Sequence, residues 1–220
     1  MIIGAITMSN ITKAVAEAKK LAKDRNFTET VDLAINLKNI DLKKPENRIK
    51  LEIPLPHSTS KKIKVAIIAE GDLALRAKEI VDLVINKNDL ERYATDKKAA
   101  KVLGKTYDFF IAQADLMTTV GKILGPVLGV RGKMPQVVPP TGANLEPIIR
   151  RFQKVCKMRL RQNPVFFAKI GTKDMSNEEI SENIESVLKA VEDKLEKGRD
   201  NIRSIYVKTK MGPPVKIMWT

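Results

Sequence analysis

Only one cysteine, Cys156, and one histidine, His57, occur in 220 residues, and these two scarcities remove whole classes of chemistry. A lone cysteine forms no intramolecular disulfide, so a disulfide-stapled secreted scaffold is excluded and a reducing cytoplasm is the expected compartment. Cys156 lies among Lys154, Lys157 and Arg159, neighbours that would lower a thiol pKa, but a catalytic thiol also needs a positioned base. His57 is far away in the sequence. It has no second His or Cys at ligand spacing, so neither a metal site nor a triad assembles around it and it is read as a boundary residue. No cofactor and no metal are expected. Long apolar runs and basic helices with a bulky apolar face are also missing, so no membrane partner is expected. The apolar start, Met1 to Thr7, has no basic leader and runs straight into Ser9, Asn10, Thr12 and Lys13, unlike a signal peptide. There is no internal repeat.

What is abundant is positive charge. Forty Lys and Arg oppose 26 Asp and Glu, a formal charge of +14, which attracts polyanions at a distance and puts nucleic acid first among partners. The composition, 43% hydrophobic and 30% charged, is that of a folded globular protein. The charge is also clustered. Arg150, Arg151, Lys154, Lys157, Arg159, Arg161 and Lys169 share a stretch without an acid, and Arg203, Lys208, Lys210 and Lys216 form a second one in the tail. Local excess of this kind is what phosphate neutralisation requires.

Hydrophobic periodicity divides the chain. Ser9 is placed as the cap of a helix to about Lys23, with Ile11, Val15, Ala18 and Ala22 on one stripe. Val31, Leu33, Ile35 and Leu37 alternate, as do Ile49, Leu51, Ile53 and Leu55, the pattern of strands with one wet face. The polar loop Asn39 to Arg48, with Pro45, separates them. From Lys64 the pattern changes. Val65 to Ala69 is a continuous apolar run, followed by helix Asp72 to Val81, strand Leu83 to Ile85, broken helix Lys87 to Leu103, strand Asp108 to Ala112 and helix Asp115 to Leu124. That alternation predicts a small parallel sheet. A Gly- and Pro-rich loop from Gly125 to Gly142 and a helix through Ile148, Ile149 and Phe152 complete the middle. After about Gln153 the outer pattern returns with a strand Val165 to Ile170, a helix opened by the Ser176/Glu179 capping box, and strands Ile202 to Thr209 and Val215 to Trp219.

Neither outer piece alone closes a core, so the expected architecture is an α+β discontinuous first domain, residues 1–63 and 155–220, with an inserted α/β Rossmann-like second domain, residues 64–154. Two connections must then cross together, near Lys61 to Lys64 and near Lys154 to Asn163. The Gly121 to Pro135 segment, with Lys122, Arg131 and Lys133, raises the competing reading of a nucleotide-dependent enzyme built on the central domain, since glycine-rich loops can cradle phosphate. No Walker signature is present, and the dinucleotide fingerprint is missing after the first central strand, where Ala69-Glu70-Gly71-Asp72 stands instead. A structural turn or an RNA backbone contact fits that loop better.

Three blocks carry a resemblance: Asn26-Phe27-Thr28-Glu29-Thr30-Val31, the central Gly-Pro segment, and Ser204-Ile205-Tyr206-Val207-Lys208-Thr209-Lys210-Met211-Gly212-Pro213. Together they resemble the L-one family of large-subunit ribosomal proteins. The resemblance spans nearly the whole chain, and the lysine before the Met-Gly step together with the short Gly125 to Met134 block look like its archaeal branch. It implies the split just described, with the main RNA site in the first domain, and a non-enzymatic, ribosome-associated, cytoplasmic protein. The implied partners are large-subunit rRNA at the mobile stalk beside the tRNA exit site, deacylated exit-site tRNA whose release is assisted, and the protein's own messenger RNA, whose translation it represses. The free protein is expected to be a monomer. The family's RNA-contacting positions fall on Phe27, Thr30, Ser204, Met211 and Gly212, flanked by Lys208 and Lys210. Bacterial members carry threonine where Lys210 stands, so a phosphate contact would replace a hydroxyl contact there. A glycine lets backbone approach a ribose edge and a methionine packs on sugar or base without demanding one sequence, so recognition is expected to be by shape and 2′-hydroxyls.

Overall fold

The computed structural model describes residues 8–40, 42, 49–59, 63–140, 144–160 and 163–218. The start Met1 to Thr7, nearly all of the Pro45 loop, Lys61 at the first crossing, Thr141 and Gly142, Arg161 and the strand end at Trp219 lie outside the described residues. In chain order the elements are α1 (Met8–Lys20), β1 (Thr30–Leu37), β2 (Lys50–Pro54), β3 (Val65–Ile68), α2 (Gly71–Ala77), β4 (Leu83–Ile85), α3 (Lys87–Thr95), α4 (Lys97–Thr106), β5 (Phe109–Gln113), α5 (Met117–Ile123), α6 (Gly125–Arg131), β6 (Gln136–Val138), α7 (Leu145–Lys154), β7 (Val155–Arg159), β8 (Val165–Thr172), α8 (Asn177–Lys194), β9 (Ile202–Thr209) and β10 (Val215–Ile217). Contacts divide the chain into two compact units, Met1–Lys61 with Lys154–Thr220, and Lys62–Gln153.

The first unit is a mixed layer structure. Its four-stranded antiparallel sheet has the order β10-β9-β1-β8, and β1 alternates between half-buried and buried along its eight residues. One face, with Leu33, Ile35, Phe166, Ile205 and Val207, is buried in a common core with α1 residues Ile11 and Val15 and α8 residues Ile184 and Val187. Burying each such side chain contributes roughly 1.5–3 kcal/mol, which is why the helices lie on this face. The helix α8 opens as expected, with Ser176 accepting from the Glu179 amide at 3.1 Å and Glu179 accepting from the Ser176 amide at 3.0 Å. A separate ladder pairs β2 with β7 and adds Ile53, Cys156 and Met158 to the same core.

The second unit is a four-stranded parallel sheet, order β4-β3-β5-β6. Helices α3 to α6 pack on one apolar cluster around Leu90, Leu103 and Leu128, whereas α2 and α7 belong to another around Leu73 and Phe152.

Several expectations need correction. Ser9 lies inside α1, which ends at Lys20 rather than Lys23; the chain tightens there through an Ala22 amide bond to the Lys19 carbonyl. The segment after Gly125 is not a loop. Pro126 sits in the first turn of α6, where a missing N–H costs nothing, and Gly132 closes the helix in the left-handed region at φ 69°, the conformation glycine adopts without strain. Strand β6 follows. The helix placed over Asp115 to Leu124 begins as a 3-10 turn, Ala114–Leu116, and the broken helix at 87–103 is two helices separated by Asp96, whose carboxylate caps α4 through the Lys98 and Ala99 amides. Finally, β7 was not anticipated: its buried Cys156 and Met158 alternate with Lys157, and the basic positions hid the period.

Candidate nucleic-acid interface

The first unit's sheet has a second face on which, among the described residues, no helix packs. Cross-strand partners point to the same side, so the register defines its surface. One row runs Phe167, Ala34, Tyr206, Lys216 across all four strands; a second runs Lys169, Asp32, Lys208; a third runs Val165, Asn36, Ser204. Phe167 is 68% exposed, unusual for a phenylalanine in a central sheet. Lysines and aromatics interleave here around a single carboxylate, Asp32.

At the Thr30 end of this face the tail turn closes. The Gly212 amide donates to the Thr209 carbonyl at 3.1 Å and the Lys210 amide donates to the Thr30 carbonyl at 2.8 Å, so Lys210, Met211 and Gly212 are fixed beside the start of β1. Met211 is 60% exposed. Lys210 reaches back over the sheet, with its ammonium 3.3 Å from Asp32. Gly212 is needed for contact, not for backbone conformation: a Cβ there would stand 2.3 Å from Thr209 Oγ1 and 3.8 Å from the Ala22 Cα.

Phe27, 58% exposed, lies three residues before Thr30 on the loop that follows α1. A cleft of about 430 Å³ opens along this loop, lined by Lys23, Arg25, Phe27, Glu29 and Lys173 among others. Two ion pairs hold the loop, Lys173 with Asp24 at 2.9 Å and Arg25 with Glu29 at 3.1 Å, and the Lys173 amide donates to the Glu29 carbonyl at 2.8 Å. The Lys173 hydrogen bond, with its charge, holds the Asp24 carboxyl below its ordinary pKa. Glu29 is only 2% exposed, and beyond the Arg25 ion pair its carboxyl oxygens have no hydrogen-bond partner among the described residues.

Of the seven residues singled out, Thr30, Lys208 and Ser204 therefore share the sheet face, and Phe27, Lys210, Met211 and Gly212 gather at one end of it. Ser204 is the least available: it is 8% exposed, and its hydroxyl accepts from Asn36 Nδ2 at 2.9 Å. Sequence reasoning missed Asn36, Asp32, Phe167 and Tyr206. Their signal was the strict alternation of β1, which marks every second residue as outward, carried onto β8 and β9 by the pairing register.

The basic stretch from Arg150 to Lys169 is divided between the two units, Arg150 and Arg151 in the second and the rest in the first. Arg150 lies on α7 and pairs with Glu146 at 3.5 Å, while Lys157 on β7 pairs with Glu52 across the ladder at 3.1 Å. Cys156, placed among cations in sequence, is buried, and burial pushes its thiol up to about 11. Desolvation outweighs the nearby charge here. His57 bonds Glu182 Oε2 at 2.6 Å through Nε2. Among the described residues no three His, Cys, Asp or Glu come together as a metal site, and no helix is long and apolar enough to cross a membrane.

The second unit offers little to a nucleotide. In a parallel sheet of this order the ligand crevice lies at the carboxyl ends of β3 and β5, where the chain leaves in opposite directions. There the Glu70 amide donates to Gln113 Oε1 at 3.0 Å and Gln113 Nε2 donates to Asp115 Oδ2 at 3.2 Å, so the loop amide that would meet phosphate is already used. Glu70 and Asp115 would repel the anion. The glycine-rich segment forms α6 and its cap, and Lys133 donates to the Gly104 and Tyr107 carbonyls at 3.1 and 2.7 Å.

The chain is similar to known proteins over nearly its whole length. Residues 15–213 match the family described as Ribosomal protein L1p/L10e. Proteins named large ribosomal subunit protein uL1 are similar over most of their length: that of Pyrococcus abyssi is 53% identical over 207 residues, 94% of each chain. That of Methanothermococcus thermolithotrophicus is 51% identical over 208 residues, 94% of this chain and 97% of the other. That of Methanocaldococcus jannaschii is 45% identical over 207 residues, 94% of each. All three organisms are archaeal, in line with the branch read from Lys210 and the short central block. The chain belongs to the ribosomal protein L1 family and is a structural ribosomal protein, not an enzyme.

Proposed function

We propose that the first unit grips large-subunit rRNA at the mobile stalk near the tRNA exit site, using the open sheet face and the turn at its end. Phe27 and Met211 supply flat and soft apolar contacts to sugars and bases, Thr30, Ser204 and the Gly212 backbone supply hydrogen bonds, and Lys208 and Lys210 neutralise phosphate. From this position the protein assists release of deacylated tRNA, and by binding a similar fold in its own messenger RNA it represses its own translation. It acts as a monomer when free, on the ribosome in the cytoplasm. The domains are 1–63 with 155–220 and an inserted Rossmann-like 64–154. The observation that carries this reading is two exposed apolar side chains, Phe27 and Met211, held at the end of a lysine-bearing sheet face by a turn with no room for a side chain at Gly212.

The test separates folding from binding. Truncation of an interface hot spot costs at least about 1 kcal/mol, roughly a fivefold loss of affinity. Met211→Ala is expected to weaken binding to a stalk rRNA fragment by that much or more, and to weaken binding to the protein's own transcript equally, with an unchanged melting midpoint because the side chain is exposed. Unchanged affinity would falsify the site. Lys210→Ala should lower the slope of log affinity against log salt by about one unit.

A further inference from the structure

In the second unit, three helices each pair one arginine with an acid one turn away: Arg76 with Asp72, Arg92 with Asp89 and Arg150 with Glu146. Helix α4 does not. It carries Lys97, Lys98, Lys101 and Lys105 and no acid between residues 97 and 106, and none of the four is in an ion pair among the described residues. Ala100, Leu103 and Gly104 face the core, and a Cβ at Gly104 would stand 3.3–3.4 Å from the Val127, Leu128 and Arg131 side chains of α6. This pins the lysines outward with Val102, which is 61% exposed. Lys97, Lys101 and Lys105 follow at i, i+4 and i+8, so their charges are spaced about 6 Å apart on one face. Like charges at that spacing destabilise a helix, and Lys97 and Lys98 sit at the positive end of its dipole, where cations are unfavourable. At the other end Lys133 adds a further cation at the Gly104 carbonyl.

From this arrangement we propose that the exposed face of α4 is a second RNA-binding surface, which docks on the phosphodiester backbone of a folded RNA without reading bases. The complementary charge removes the repulsion that the free helix carries, and the regular spacing presents a row of cations to a row of phosphates. The surface lies in the other unit from the sheet face and stands independently of the rRNA site proposed there.

The full chain and a plain RNA duplex of arbitrary sequence, about two turns long, provide the test. Neutralising Lys97, Lys98, Lys101 and Lys105 to Gln should lower the slope of log affinity against log salt by about two to four units, since each released counterion contributes about 0.9. Neutralising Lys13, Lys20, Lys189 and Lys194 on α1 and α8 loses the same charge and should change the slope by less than half as much. Val102→Cys carrying a thiol-linked benzophenone should crosslink the duplex; buried Cys156 stays unlabelled, and Leu75→Cys on α2, 64% exposed, is the positional control. Equal slopes in the two neutralised proteins, or equal crosslinking at 102 and 75, would overturn the proposal. So would four lysines that govern binding to anionic lipid vesicles and not to RNA. A failed rRNA site shows itself separately, as unchanged stalk affinity in Met211→Ala.

Discussion

Gly212 has room for a hydrogen and for nothing larger, because Thr209 Oγ1 would stand 2.3 Å from its Cβ. Gly212→Ala is therefore expected to act through folding, at about 1–3 kcal/mol as for other overpacked sites. Thr209 is fully buried and its hydroxyl has no hydrogen-bond partner among the described residues. The double variant Thr209→Ala, Gly212→Ala should then melt higher than the sum of the single changes allows; additive losses would mean the turn is limited by something else. Asp24 is a second local case. Its pKa is lowered in the folded protein by Lys173, so the pair supports the Phe27 loop above the ordinary carboxylate pKa and is lost as pH falls through the folded value. Lys173→Met should raise the Asp24 midpoint in an NMR titration, and an unmoved midpoint would mean that the pair does not form in solution. Motifs made Phe27, Met211 and Gly212 legible in the sequence. Phe167 and Tyr206 were not, because an aromatic in a strand is core or surface according to register, and register needs the partner strand.

At the scale of elements, legibility followed periodicity. Helix α8 combines a capping box with a long apolar stripe, two independent signals with one answer, and its start was placed at the right residue. Ser176→Ala should cost about 0.5–2 kcal/mol, visible as a lower melting midpoint with no change in RNA affinity, since the cap lies on the helix layer and not on the open face. A fall in affinity at constant stability would contradict that placement. Helix α6 was misread because Gly125, Pro126 and Gly129 weaken every local cue for a helix; Val127 packed near Gly104 and the fully buried Leu128 hold it through tertiary contacts that no local window contains. Strand β7 was missed for another reason. With Lys157 and Arg159 among its five residues and only Cys156 and Met158 buried, its alternation is too short to stand out from the basic stretch around it.

For the whole molecule, the discontinuous first unit depends on how firmly it holds the two chain segments that leave it. The β2–β7 ladder sets Pro54 opposite Val155. Beyond it the Leu55 amide donates to the Lys154 carbonyl at 2.7 Å, and Lys154 Nζ donates to the Pro56 carbonyl at 3.3 Å. Buried Asn183 of α8 then clamps the outgoing strand, accepting from the His57 amide at 2.9 Å and donating to the His57 carbonyl at 3.2 Å. All these partners belong to the first unit, so the contacts just named would remain if the second unit were removed. Because the two ends are already adjacent, bridging them with a short Gly-Ser linker adds little loop-closure entropy. Replacing residues 62–153 in this way is expected to leave a cooperatively melting protein that still binds the stalk rRNA fragment, with a smaller salt slope than the full chain if α4 engages RNA. Asn183→Ala in that shortened chain should lower its melting point, by leaving the His57 backbone groups unpaired at one root of the junction. A shortened chain that fails to fold would show that the first unit needs the second for its core; one that folds but does not bind would move the rRNA site off the open sheet face.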